Sequence, residues 1–281
     1  MHQPTSPCRW APAVPPRTVT EQPPPPHGTS RRTLLRNAAV AGLVAWTAPV
    51  LIDSVASPAA AASCTTSTLD WNTITAGSGG ATTCSGSSTG TTPPCTTTSY
   101  TPPAVGGVTI TFTSTAFSGT TLLSSGANAG QGNLTVRASP NGGVTTRALQ
   151  LQQLPNSTSV GQTFTMSFSR AVTNLTFTVF DIDNLVGGWG DRLVFSPAPT
   201  TVTTTNAGWA PTASTVTGAG TAASPLRNTS TNTNFADTSS LGNVLLTFAG
   251  PVTTLTLTYT NAVNTGGGNM RVGISPISFC A

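Results

Sequence analysis

"QTFTMSFSRAVTNLTFTVFDIDN", residues 162–184, decides how the chain is to be read. Phe164, Met166 and Phe168 alternate with Thr163, Thr165 and Ser167, and Leu175, Phe177 and Val179 alternate with Thr176 and Thr178. A period of two with Thr on one side and large apolar groups on the other fits two strands, "QTFTMSFS" (162–169) and "NLTFTVFDID" (174–183), each with one wet face and one buried face. Similar segments recur in both directions: "GVTITFTS" (107–114), "GNLTVRAS" (132–139), "RALQLQQ" (147–153), "DRLVFSP" (191–197), "NVLLTF" (243–248), "TTLTLTYT" (253–260) and "RVGISPISF" (271–279). Gly, Pro, Asn and Ser separate them, and no stretch sustains a helical period. The pattern predicts an all-β fold, an antiparallel sandwich of jelly-roll type over residues 63–281.

Residues 1–62 have a different character. Ser30-Arg31-Arg32-Thr33-Leu34-Leu35 matches a twin-arginine export signal, with Arg31 and Arg32 as the paired cations. The apolar run Ala38–Ile52 that follows is 15 residues long, against roughly 20 for a spanning helix. It predicts the short apolar helix of a signal peptide in a disordered leader. Ala60-Ala61-Ala62 suits signal peptidase, so the exported chain is expected to begin near Ser63, with contact to the membrane only through the signal. Acylation of Cys64 would need Leu where Ala61 stands in this sequence.

Taking the leader away alters the electrostatics. The whole chain carries a net charge of +4, but residues 63–281 hold six Arg and five Asp, and neither His, Lys nor Glu. The small net charge removes the main support for nucleic-acid binding. Nucleophile systems that need an imidazole have none, and lysine-dependent chemistry has no lysine. "GSGGATT" (77–83) lacks the Lys and the helix of a phosphate-binding loop. "FADTSS" (235–240) resembles half of an aspartic-protease site without a second copy, so Asp237 is read as a turn residue. "LPNST" (154–158) has no apolar tail after it to make it a sortase signal.

Cys64, Cys84, Cys95 and Cys280 form an even set, as expected for an oxidising compartment. Three pairings are open; the one favoured here closes a short loop with Cys84–Cys95 and ties the ends with Cys64–Cys280. Residues 67–72 ("STLDWN" with Leu69 and Trp71) are read as a first strand, and about 73–103 as a low-complexity Thr/Ser/Gly/Pro loop. T-x-T motifs are frequent, but their spacing along the chain is irregular, unlike the faces of ice-binding solenoids.

The acidic residues concentrate in "VFDIDNLVGGWGDRLVF" (179–195). Counting alternate positions from Leu175 puts Asp181 and Asp183 on the apolar side, followed by a seven-residue loop from Asn184 to Gly190. Simple register then sets Asp183 across from Asp191. Like charges so placed need compensation. Three compensators are available: a calcium ion on Asp181, Asp183, Asn184 and Asp191, an arginine (Arg192 or Arg271), or backbone N–H groups of the Gly-rich loop. A hydrolytic carboxylate pair is disfavoured, because two aspartates on one strand face look the same way about 7 Å apart. Trp189, Trp209 and Tyr100 are candidate glycan-binding aromatics, since sugar rings stack on them while amides and carboxylates take the hydroxyls.

The 162–184 segment, with "WGDRLVF" (189–195), "VTTLTLTYTN" (252–261) and "ISPISF" (274–279), resembles a β-sandwich module of exported bacterial surface proteins of actinobacterial type. In these an F-D-I-D strand precedes a W-x-D turn, and the first strand reads L-D-W, as Leu69-Asp70-Trp71 does. The resemblance covers most of residues 63–281; the Cys-bearing insert departs from it. It implies a non-catalytic secreted or cell-surface module that binds a glycan or an envelope component, with a purely structural envelope protein as the alternative.

Overall fold

A computed structural model describes residues 64–79, 81–83, 97–123, 132–185, 187–204, 214–230, 233–263 and 268–281. The leader with Arg31 and Arg32, Cys84, Cys95 and Trp209 lie outside the described residues. The strands are β1 (Thr66–Leu69), β2 (Ala81–Thr83), β3 (Thr97–Tyr100), β4 (Ile110–Ala116), β5 (Thr120–Leu122), β6 (Thr135–Arg137), β7 (Ala148–Pro155) and β8 (Gly161–Phe180). They continue with β9 (Asn184–Leu185), β10 (Trp189–Ser196), β11 (Thr201–Thr203), β12 (Val216–Thr217), β13 (Arg227–Asn228), β14 (Val244–Phe248), β15 (Val252–Asn261), β16 (Met270–Ile274) and β17 (Ile277–Cys280). All the strand pairs are antiparallel. The all-β sandwich expected from the alternation is what the chain forms.

The opening segment is one strand, where the sequence had suggested two. The first half of β8 pairs β4 on one side and β15 on the other, within a sheet ordered β2-β3-β4-β8-β15-β10-β9. Its second half pairs β14 on one side and β16 and β17 on the other. β16 leads on to β7, which carries β5 and β6, and β17 pairs β1. Ser169, Arg170 and Ala171 are exposed at the crossing; the buried positions Phe164, Met166, Phe168 and Val172 share one parity, and it changes only beyond Val172, to Leu175, Phe177 and Val179. Asn174, with φ of 50°, and a register shift between Val252 and Thr254 accommodate the change.

Between the sheets lies one apolar core. Phe177, Phe195 and Phe248 meet at centroid distances of 5.7–6.4 Å, and Phe112 stacks on Phe164 at 5.8 Å. The L-D-W segment enters this core by a short 3₁₀ turn in place of the expected strand to residue 72. Asp70 accepts from the Asn72 N–H at 2.9 Å as its cap, and the buried Trp71 indole donates to the Ser275 carbonyl at 2.8 Å. The stretch read as a loop at 73–103 supplies two strands, β2 and β3, in which Thr83 faces Thr97. Cys64 and Cys280 are joined, the pairing that ties the ends, where β1 meets β17 with Thr66 opposite Cys280.

Candidate functional site

The carboxylates collect where β8 leaves the core. Asp181 adopts φ of 67°, a left-handed conformation that Asp tolerates better than most L residues, so the alternation stops there and Phe180 and Ile182 are buried as well. Beyond the kink β9 returns on β10, with Leu185 opposite Trp189 and Asn184 opposite Gly190. Four residues of the expected seven-residue loop therefore belong to strands, Asn184 and Leu185 to β9 and Trp189 and Gly190 to β10. The Asp191 N–H donates to the Asp183 carbonyl at 2.9 Å, which sets these two residues across from each other as register predicts.

Three environments result. Asp191 is 1 % exposed; its Oδ1 accepts from the Tyr259 hydroxyl at 2.6 Å and its Oδ2 from the Asp183 N–H at 2.7 Å. Burial and the neighbouring Asp183 carboxyl raise Asp191 well above the usual carboxylate range, and burial beside Asp191 raises the Tyr259 phenol. Asp183 Oδ1 accepts from the Phe235 N–H at 3.2 Å, a contact that opposes the shift; burial, reinforced by Asp181, nevertheless pushes this carboxyl up to about 8. Asp181 is raised to about 6 by burial, held back by Arg271, whose Nη2 and Nε lie 3.3 and 3.4 Å from its Oδ2.

Arg271 also donates to Asp237 Oδ1 at 2.7 Å, and Arg137 grips Asp237 with both terminal nitrogens, at 2.9 Å from Nη1. Burial works against ionisation of Asp237, but Arg137 and Arg271 keep it below the ordinary value. The chain Asp181–Arg271–Asp237–Arg137 therefore alternates in sign across β6, β16 and the 233–240 segment. Asp237 sits in the turn closed by the Ser239 N–H on the Ala236 carbonyl, as expected, and is at the same time a corner of this network. Arg192 takes no part: it faces Thr260 at the opposite parity from Asp191 and makes no ion pair among the described residues.

Compensation thus comes from arginine, from peptide N–H groups and from a phenol. Among the described residues no three carboxylate, Cys or His side chains converge as a metal site. Asp191 accepts a hydrogen bond on each oxygen and Asp181 faces Arg271, so within the set Asp181, Asp183, Asn184 and Asp191 these two carboxyls already have partners in the protein itself.

A cavity of about 230 Å³ opens on the other side of these groups, lined by Asp181, Asp183, Trp189, Asn234, Asn269 and Arg271. Trp189 is half-buried, packs against the core edge and leans on the backbone at Gly268, where a Cβ would lie 2.3 Å from its ring. Only Gly allows that approach. Tyr100 does not line this cavity; it stacks over Phe112 at 6.5 Å, on β3 of the first sheet, with its phenol raised by burial.

Tyr259, Asn234, Asn269 and Arg137 escaped the sequence reading. Tyr259 alone gave a signal, since strand parity turns it inward and a buried phenol needs an acceptor. No protein-family model, curated protein or solved structure matches the chain.

Proposed function

We propose that the chain is an exported, non-catalytic binding protein of the cell surface or its surroundings, and that the cavity beside Trp189 takes an uncharged polyhydroxylated ligand, a glycan or envelope component. The observation that carries this is the composition of the cavity wall: Trp189, Asn234, Asn269, Asp181, Asp183 and Arg271. An aromatic face with convergent donors and acceptors is what a sugar ring needs. Asp183, protonated below about pH 8, can donate as well as accept, while Asp181 and Arg271 largely neutralise each other. Export is supported by the Arg31-Arg32 signal and by the Cys64–Cys280 bridge.

A glycan array probed with the parent chain and with Trp189→Ala tests the reading. Saturable binding lost in the variant supports it; a parent that binds nothing, or a variant that binds equally well, overturns it. The structural-envelope alternative draws on Asp191, whose side-chain hydrogen bonds tie β10 to Asp183 at the foot of the β9–β10 hairpin and to Tyr259 of β15. An aspartate-dependent glycoside hydrolase would release sugar from an array hit in an Asp183-dependent manner, and the absence of His, Lys and Glu from residues 63–281 speaks against it.

A further inference from the structure

The T-x-T motifs are irregularly placed along the chain, yet the sheet brings three of them into register. In the central row Thr113 of β4 faces Thr165 of β8, which faces Thr256 of β15. On one side of it runs the row Thr115, Thr163, Thr258. On the other side runs Thr111, Ser167, Thr254. All nine point away from the core, since their neighbours Phe112, Phe164, Met166, Leu255 and Leu257 are buried. Ser99 and Ser196 extend the central row onto β3 and β10, and Thr97 extends the second.

These twelve positions carry hydroxyls and no charge or aromatic ring. Thr111 Oγ1 accepts from Thr101 at 3.3 Å; among the described residues the other eight hydroxyls of the three rows have no protein partner. Neighbouring strands repeat at about 4.8 Å and alternate residues along a strand at about 6.7 Å. Both repeats lie close to those of oxygen on a prism face of hexagonal ice. The threonine methyls shield water laterally while the hydroxyls join its lattice, and a charge, which would order water radially, is missing. The lack of an aromatic face disfavours a stacked polysaccharide on this surface.

We propose that this face binds ice, a second activity independent of the Trp189 cavity. The right-handed twist of the sheet, about 20–25° per strand, confines the match to the three central strands. The activity is therefore of the weak kind that restrains recrystallisation more than it depresses freezing.

The test is recrystallisation of a frozen sucrose film, with the ice-crystal faceting of a slowly cooled droplet as a second readout, using the full chain. The parent is expected to keep grains small and to facet crystals, and Thr165→Lys, at the centre of the array, to lose both. Thr163→Val with Thr256→Val, nearly isosteric, keeps the sheet intact should the lysine disturb it, and is expected to lose the effect in part. Trp189→Ala should retain it in full. Grain growth no different from that in serum albumin, retention of the parent on insoluble cellulose or chitin without any effect on ice, or full activity in both Thr165→Lys and the double valine variant overturns the proposal.

Discussion

The Tyr259 hydroxyl donates to Asp191 Oδ1 at 2.6 Å in a place where Tyr259 is 0 % and Asp191 1 % exposed. A phenol and a carboxyl that neither can take to water hold β15 to β10 beneath the hairpin. Removing the donor leaves an acceptor buried without its partner, which costs about 1–3 kcal/mol. Tyr259→Phe is expected to lose that much in urea unfolding at pH 7. The double variant with Asp191→Asn should lose less than the sum of the single changes, because the two groups share one bond.

Stability should fall as the solution becomes more alkaline. Asp181 and Asp183 stand at about 6 and about 8 in the fold against an ordinary 3.8, so between those values the folded chain binds more protons than the unfolded one. Their contribution is complete below about pH 3.8 and is lost as pH rises through 6 and then 8. Asp237, lowered by its arginines, has the opposite sign and matters only when pH falls below the same 3.8. Melting temperatures measured from pH 4 to 9 should decline, and Asp183→Asn should flatten the upper part of the curve. Arg271→Met should move the Asp181 midpoint upward in a carboxyl NMR titration, since the guanidinium restrains that shift.

Chelation provides a third check. With Asp181 facing Arg271 and Asp191 bonded on both oxygens, the melting temperature at pH 7 should be the same in EGTA and in millimolar calcium. A rise in calcium that Asp183→Asn abolishes would show the carboxyls acting as ligands.

The Cys64–Cys280 bridge closes a sequence separation of 216 residues. In the chain-entropy picture a loop of that size stabilises the fold by up to about 5 kcal/mol. Cys64→Ser with Cys280→Ser should lower stability by about 2–5 kcal/mol in guanidinium unfolding, and dithiothreitol should reproduce the loss in the parent.

The fold could be read because Thr and apolar residues alternate so regularly, and register alone put Asp183 across from Asp191. Reading stopped where backbone geometry breaks the alternation. Asn174 and Asp181 both have positive φ; the first turned two expected strands into the halves of β8, and the second gave the two aspartates separate surroundings. Arg137 and Asp237 are 100 residues apart, and Arg271 reaches Asp237 from β16. No local pattern announces such pairs, because each depends on how β6, β16 and the 233–240 segment are brought together. For the same reason Trp189 was found while Asn234 and Asn269 were not: an aromatic in a loop is conspicuous, and an asparagine in a Thr/Asn-rich chain is not.

β8 belongs to both sheets, and that fact bears on how the molecule comes apart. A sandwich whose halves are made of separate strands can lose one layer and keep the other for a time. Here the backbone that anchors β4 and β15 is continuous with the backbone that anchors β14, β16 and β17. Peeling either layer away pulls on the other, so the two layers are expected to melt as one cooperative unit.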